Sequence, residues 1–312
     1  MEREYTYKLK TLVEELHMNI VYPSKDYENV LIVTGDVHRP GLQLAGFYDY
    51  FDPTRIQLIG RMEVAFLKRF SDKERRATID TYVSKKMPVI IFCHEAEILP
   101  EFLEAAERHD VTIVETAQRT STVMADVIKI LRHALAPRVT RHGVLVEVYG
   151  MGLLLLGESG VGKSEAAIEL LKRGHRLIAD DAVEIRAIDS TQLDGTAPEL
   201  IRHYVELRGI GVIDVRQIFG VGAVKKHQNI HLVVNLVPWR AGMLYDRLGI
   251  SEQKMTILNV ELPVVTIPVK PGRNLAVILE VAAMNQRQKL MGYNAALEFT
   301  RQINKHFDEM LS

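Results

Sequence analysis

The segment Gly157-Glu158-Ser159-Gly160-Val161-Gly162-Lys163-Ser164 carries the whole pattern G-x-x-x-x-G-K-[ST]. Each part has a physical task. The glycines let the backbone wrap phosphates with its N–H groups pointing inward. Lys163 brings a point charge to the β- and γ-phosphates, and Ser164 offers a hydroxyl to Mg²⁺. The start of the following helix adds partial positive charge. Such a match arises by chance in roughly one chain in a hundred of this length. The LLLL run before it and the amphipathic run after it argue further for a nucleotide site.

Other residue types capable of phosphoryl chemistry follow. Asp180-Asp181 ends the apolar run LIA. A carboxylate there could hold Mg²⁺ or take a proton from an attacking hydroxyl, or the pair could be a solvated turn. Glu206, in ELRGIG, suits a second Mg²⁺ contact, or is an ordinary polar residue before a turn. His142 could tune a neighbouring carboxylate, since imidazole titrates near neutrality, or be solvated. Arg247, in YDRLG, could neutralise a transferring phosphate or pair with Asp246. Trp239-Arg240 is open between packing and function. The basic run Pro268-Val269-Lys270-Pro271-Gly272-Arg273 could bind an anion or simply turn the chain.

The elements that position these residues alternate strand and helix patterns, the mark of an α/β fold. Strands are expected at 29–34, 55–58, 88–93 and 112–115, with helices at 62–70, 99–108 and 121–135. A boundary falls in 134–142, which carries a proline and loses hydrophobic periodicity. This divides the chain into an N-terminal α/β domain, 1–133, without a catalytic motif, and a catalytic domain, 134–312. In the second, strands at 144–148 and 153–156 flank the short link 149–152. They form an expected β-hairpin that feeds the phosphate loop with an antiparallel neighbour. A helix at 163–173 and strands at 176–179, 230–237, 255–260 and 264–269 follow. The tail is helical from Asn274, with Leu275, Ile278, Leu279 and Ala282 at helical spacing.

Composition narrows the class. In 312 residues, 39 basic against 40 acidic side chains give a net charge of −1, which does not favour nucleic acid or an anionic membrane. The single cysteine, Cys93, excludes an intrachain disulfide and suits a reducing cytoplasm. Cys93 and His94 have no second cysteine nearby to build a metal site. MEREYTYKLK lacks the apolar core of a signal peptide, and no run reaches membrane-spanning length.

Five segments in order, GESGVGKSE, LIADDAVEIR, ELRGIGVIDV, QNIHLVVNLVPW with YDRLGI, and PVKPGRNLAVILEVAAMN, resemble HPr kinase/phosphorylase. The N-terminal GDVHRPGLQLAGFYDYF and RIQLIG are similar to the same family. The resemblance implies ATP- or pyrophosphate-dependent phosphorylation of a serine on HPr, the phosphocarrier of the sugar phosphotransferase system. It also implies the reverse reaction, phosphorolysis by inorganic phosphate that yields pyrophosphate. It assigns 157–164 to the nucleotide, Ser164 and Glu206 to Mg²⁺, and Asp181 to proton acceptance and, in reverse, donation. His142, Lys163 and Arg247 complete the catalytic set, His142 by positioning or tuning Asp181. Residues 206–215 serve both directions and 268–273 chiefly dephosphorylation. The resemblance further implies a phosphoenolpyruvate-carboxykinase-like catalytic domain with C-terminal helices that help grip HPr. It implies a homohexamer, and a role in carbon catabolite repression under fructose 1,6-bisphosphate and inorganic phosphate. Two rival readings are a small-molecule kinase on the same scaffold and a non-catalytic, nucleotide-gated binding module.

Overall fold

The structure is a computed structural model describing residues 5–241, 252–270 and 272–311, with side chains through residue 306. The chain forms two compact units, Met1–Ala136 and Pro137–Ser312.

The first unit is a five-stranded sheet in the order Asn19–Tyr22, Ile113–Thr116, Ile90–Cys93, Ile56–Ile59, Val37–His38. The last four run parallel and the first is antiparallel. Ile56–Ile59 and Ile90–Cys93 are buried at every position, as a parallel sheet covered on both faces requires. On one face lie Leu67, Tyr82 and Phe102; on the other, Leu12, Val127 and Leu131. The helix Thr120–Ala134 buries Val123, Val127 and Leu131, one residue per turn along a single stripe.

Two expectations shift here. Of the run 29–34 only Leu31–Ile32 is a strand, paired with Tyr7–Lys8 outside the main sheet. The helix Asp72–Val83 was not anticipated, because its face is mostly charged. It is set by a capping box: Glu74 N donates to Ser71 Oγ at 3.4 Å, and Ser71 N donates to Glu74 Oε2 at 3.1 Å.

Cys93 is fully buried in the central strand, and burial pushes its thiol up to about 11. Only the thiolate reacts, so the native chain should resist a chromogenic thiol reagent at mildly alkaline pH. One thiol per chain should appear on denaturation. Rapid labelling of the folded protein would contradict this burial.

The second unit is built on a nine-stranded sheet. Its path runs Arg176–Ala179, Val144–Val148, Met151–Gly157, His227–Pro238, Leu193–Thr196, Ala182–Ala187, Arg138–His142. Val260–Val269 lies parallel to His227–Pro238, and Gln253–Ile257 joins it antiparallel. The helices Lys163–Lys172 and Leu275–Leu290 cover one face, burying Ala167, Leu170, Leu279 and Ala283 against Leu155 and Leu232. The second helical run is Ala295–Leu311.

The hairpin before the phosphate loop is present, Met151↔Val148 through Leu155↔Val144, with a two-residue turn at Tyr149-Gly150. The strand therefore begins at Met151, two residues earlier than expected. Residues 138–142, expected as linker, form an edge strand paired with Ala182–Ala187. Its last three residues are exposed, so it shows no apolar alternation. No helix among the described residues is long and apolar enough to cross a membrane.

Candidate functional site

The strand Met151–Gly157 delivers the phosphate loop at its C-terminal end. That edge is shared, because Met151–Gly157, His227–Pro238 and Val260–Val269 run parallel. Arg176–Ala179 runs the same way through two antiparallel steps. Loops leaving this edge therefore converge, as ligand-binding loops of α/β sheets do.

The loop's backbone explains its glycines. Gly157 has φ 145°, and a Cβ there would come within 2.4 Å of Leu236 O. Gly162 has φ 102° immediately before the helix Lys163–Lys172. Lys163 is buried, and its Nζ donates to Gly157 O at 2.8 Å and Glu158 O at 3.0 Å. The ammonium thus lies at the loop whose bound phosphates it is expected to neutralise.

The turn Asp180-Asp181 separates the two carboxylates sharply. Asp180 is 4% exposed. Its Oδ1 accepts from Ser164 Oγ at 2.8 Å, and its Oδ2 accepts from Glu206 N at 3.3 Å. Burial pushes the Asp180 carboxyl above its ordinary value; those two hydrogen bonds pull it back, and the charge of Asp181 pushes it up again. The Asp181 side chain is 66% exposed. Its backbone has φ 67°, and Ala182 N donates to Asp180 O across it at 2.8 Å, a three-residue γ-turn. A backbone of this kind persists only where the surrounding structure holds it.

Register brings in His142. Ala182 pairs with His142, and Gly143 N donates to Asp181 O at 3.0 Å. His142 Nδ1 then lies 2.9 Å from Asp181 Oδ1, so an ionised Asp181 accepts from Nδ1–H. This contact gives the histidine a place beside the carboxylate that its local sequence left open.

Glu206 sits in the hairpin Tyr204–Leu207/Gly211–Asp214, its side chain exposed. At the hairpin's tip, Arg208 Nη2 donates to Ser159 Oγ at 3.0 Å, so the hairpin closes on the phosphate loop. Two segments left open by sequence also meet: Lys270 Nζ lies 4.8 Å from the centre of the Trp239 ring, and Trp239 N donates to Val269 O at 2.9 Å. Both leave the shared edge beyond Pro238↔Val269. Arg247 and Pro271 lie outside the described residues.

The structure therefore joins the loop, Asp181, His142 and the Glu206 hairpin. It adds Asp180 and Arg208, which sequence reasoning had not given roles of their own. The local signal for Asp180 was its place as the last residue of a buried run. Oxygen donors suit a hard cation, and the Ser164 hydroxyl with the buried Asp180 carboxylate fits Mg²⁺. Among the described residues no group of three or more His, Cys, Asp or Glu side chains gathers as a metal cage. Phosphate oxygens and water would complete the shell, as is usual for this ion.

Comparison with known proteins is consistent over nearly the whole chain. The family model of the HPr Serine kinase C-terminal domain matches residues 133–303, and that of the HPr Serine kinase N terminus matches 7–131. The HPr kinase/phosphorylase of Caldicellulosiruptor bescii is 48% identical over 294 residues, 94% of each chain. That of Lachnoclostridium phytofermentans is 48% identical over 302 residues, 97% of this chain and 98% of its own. The structure of the Hpr(Ser) kinase/phosphatase from Coxiella burnetii aligns at 34% identity with a TM-score of 0.47, covering 52% of this chain and 98% of its own.

Proposed function

The chain belongs to the HPr kinase/phosphorylase family, and from that premise we propose that one site carries both transfer of phosphate to a serine of HPr and its phosphorolytic removal. The chain is a phosphotransferase. The observation that supports one reversible site is the Asp180-Asp181 turn, which bonds to Ser164 of the phosphate loop on one side and to His142 on the other.

In the forward direction the backbone of residues 157–164 holds the polyphosphate of ATP, or pyrophosphate. The HPr serine Oγ attacks the terminal phosphorus as Asp181 takes its proton. The Oγ–P bond forms, the bridging P–O bond breaks, and ADP or inorganic phosphate leaves. In reverse, an oxygen of inorganic phosphate attacks the phosphoserine phosphorus. The P–Oγ bond breaks, Asp181 returns the proton to Oγ, and pyrophosphate forms in the loop. The same proton must travel both ways, so one exposed carboxylate serves both. His142 orients Asp181 and fixes which oxygen remains free. Lys163 stabilises charge spread over the transferring oxygens, and Arg247 is proposed to help. Ser164, with Asp180 behind it and Glu206 nearby, would hold Mg²⁺, which supplies neutralisation of phosphate charge.

The family resemblance also supports a cytoplasmic homohexamer with a phosphoenolpyruvate-carboxykinase-like catalytic domain. It supports regulation of carbon catabolite repression by fructose 1,6-bisphosphate and inorganic phosphate. Incubation with labelled ATP, Mg²⁺, HPr and a panel of small metabolites tests the substrate class. Label is expected on an HPr serine; an unlabelled HPr beside a labelled metabolite would overturn the reading.

A further inference from the structure

Trp239 is the chain's only tryptophan, and it stands beside the phosphate loop. The strands behind the shared edge lie in the order Arg176–Ala179, Val144–Val148, Met151–Gly157, His227–Pro238, Val260–Val269. The phosphate loop leaves the middle of this row. Asp180-Asp181 follows the first strand; Trp239 and Lys270 follow the last two. Gly157 pairs with Leu236, so Trp239 comes three residues beyond the start of the loop, roughly 10 Å along the neighbouring strand at the usual rise.

Two contacts hold the residue. Trp239 N extends the ladder past Pro238↔Val269 by donating to Val269 O at 2.9 Å, which fixes the backbone. Lys270 Nζ lies over the ring, 4.8 Å from its centre, which steadies the side chain. The residue is nevertheless 45% exposed, whereas tryptophan is highly buried on average. Apolar ring surface therefore stands open at the edge from which the phosphate loop leaves the sheet.

The direction of transfer decides what covers it. Asp181 follows Arg176–Ala179, and the Glu206 hairpin is bonded to Asp180 beside it. The attacking oxygen therefore arrives from that side of the loop. In-line transfer sends the leaving oxygen, with the nucleoside behind it, the opposite way, towards His227–Pro238 and Val260–Val269. We propose that Trp239, steadied by Lys270, is the stacking platform for the adenine of ATP. A base laid on the indole makes close contact across both π-faces and covers the open ring. Pyrophosphate has no base to lay there, so this residue separates the two donors. The inference rests on the nucleotide reading of residues 157–164.

Calorimetric titration of Mg²⁺–ADP and of Mg²⁺–pyrophosphate into the full chain, without HPr, tests this. In Trp239→Leu, ADP should bind roughly tenfold more weakly, the usual effect of losing one base–aromatic stack. Pyrophosphate should bind that variant at the parental affinity. Should Trp239→Leu fail to fold, Trp239→Phe, which keeps a smaller ring, should weaken ADP severalfold and again spare pyrophosphate. Unchanged ADP affinity in Trp239→Leu, or an equal loss for pyrophosphate, would overturn the platform and leave the nucleotide loop standing. A parental chain that binds neither ligand would overturn the loop itself, and the platform with it. If the ring instead meets the protein substrate, ADP affinity will stay parental and the KM for HPr will rise with either donor, which would also overturn the proposal.

Discussion

Asp181→Asn is expected to abolish both phosphorylation of HPr and phosphorolysis, while Mg²⁺–nucleotide affinity stays at the parental value. The substitution is conservative where it matters. Asparagine is among the residues that tolerate positive φ, so the φ 67° backbone of the turn should survive. The amide still meets His142 but cannot take the serine proton. Loss of a general base costs about 10²–10⁴-fold in rate, and it should cost the same in both directions, because the proton path is shared. Asp180 would still hold Ser164 and the Glu206 amide. Single-turnover rates in each direction, with nucleotide binding measured in parallel, check this. A variant that loses one direction and keeps the other would show that the two reactions use different proton carriers.

Lys163→Ala should produce a loss of comparable size by another route. The ammonium is buried and holds two loop carbonyls, those of Gly157 and Glu158. Removing it takes away a charge aimed at the transferring phosphate, worth about 3–4 kcal/mol in comparable donor deletions. It also leaves two carbonyls without a partner, at about 1–3 kcal/mol each if they stay dry. Transfer should therefore fall at least a hundredfold, and the melting temperature should drop as well, unlike that of Asp181→Asn. Lys163→Arg should not rescue transfer, because a planar fork does not fit the slot of a compact ammonium. Full activity in the arginine variant would contradict the point-charge role.

What could be read from the residues follows physical locality. The phosphate loop was legible because its chemistry lies in its own backbone, and glycines at 157 and 162 announce φ values few other residues adopt. Ile90–Cys93 and the centre of Met151–Gly157 were legible because strands buried on both faces read as unbroken apolar runs. The edge strand Arg138–His142 was not, since its exposed side chains leave no pattern. The Ser71–Glu74 capping box was present in the sequence, but the helix behind it buries only Ile79, Tyr82 and Val83. At the site, the sequence showed an acidic pair without showing that one member is buried and the other exposed. That division comes from a γ-turn, which a period of two does not foretell. The family resemblance pointed to Glu206 as a carboxylate; the contact the structure adds is made by its amide.

The central claim is that Asp181 and the phosphate loop make one reversible site, and its most direct test is the product of the reverse reaction. Serine-phosphorylated HPr, Mg²⁺ and isotopically labelled inorganic phosphate are mixed with the chain in the absence of nucleotide. Labelled pyrophosphate is expected in amounts equal to the dephosphorylated HPr. Release of unlabelled free phosphate alone would mean that water, not phosphate, attacks, and would contradict a loop that collects pyrophosphate as it forms.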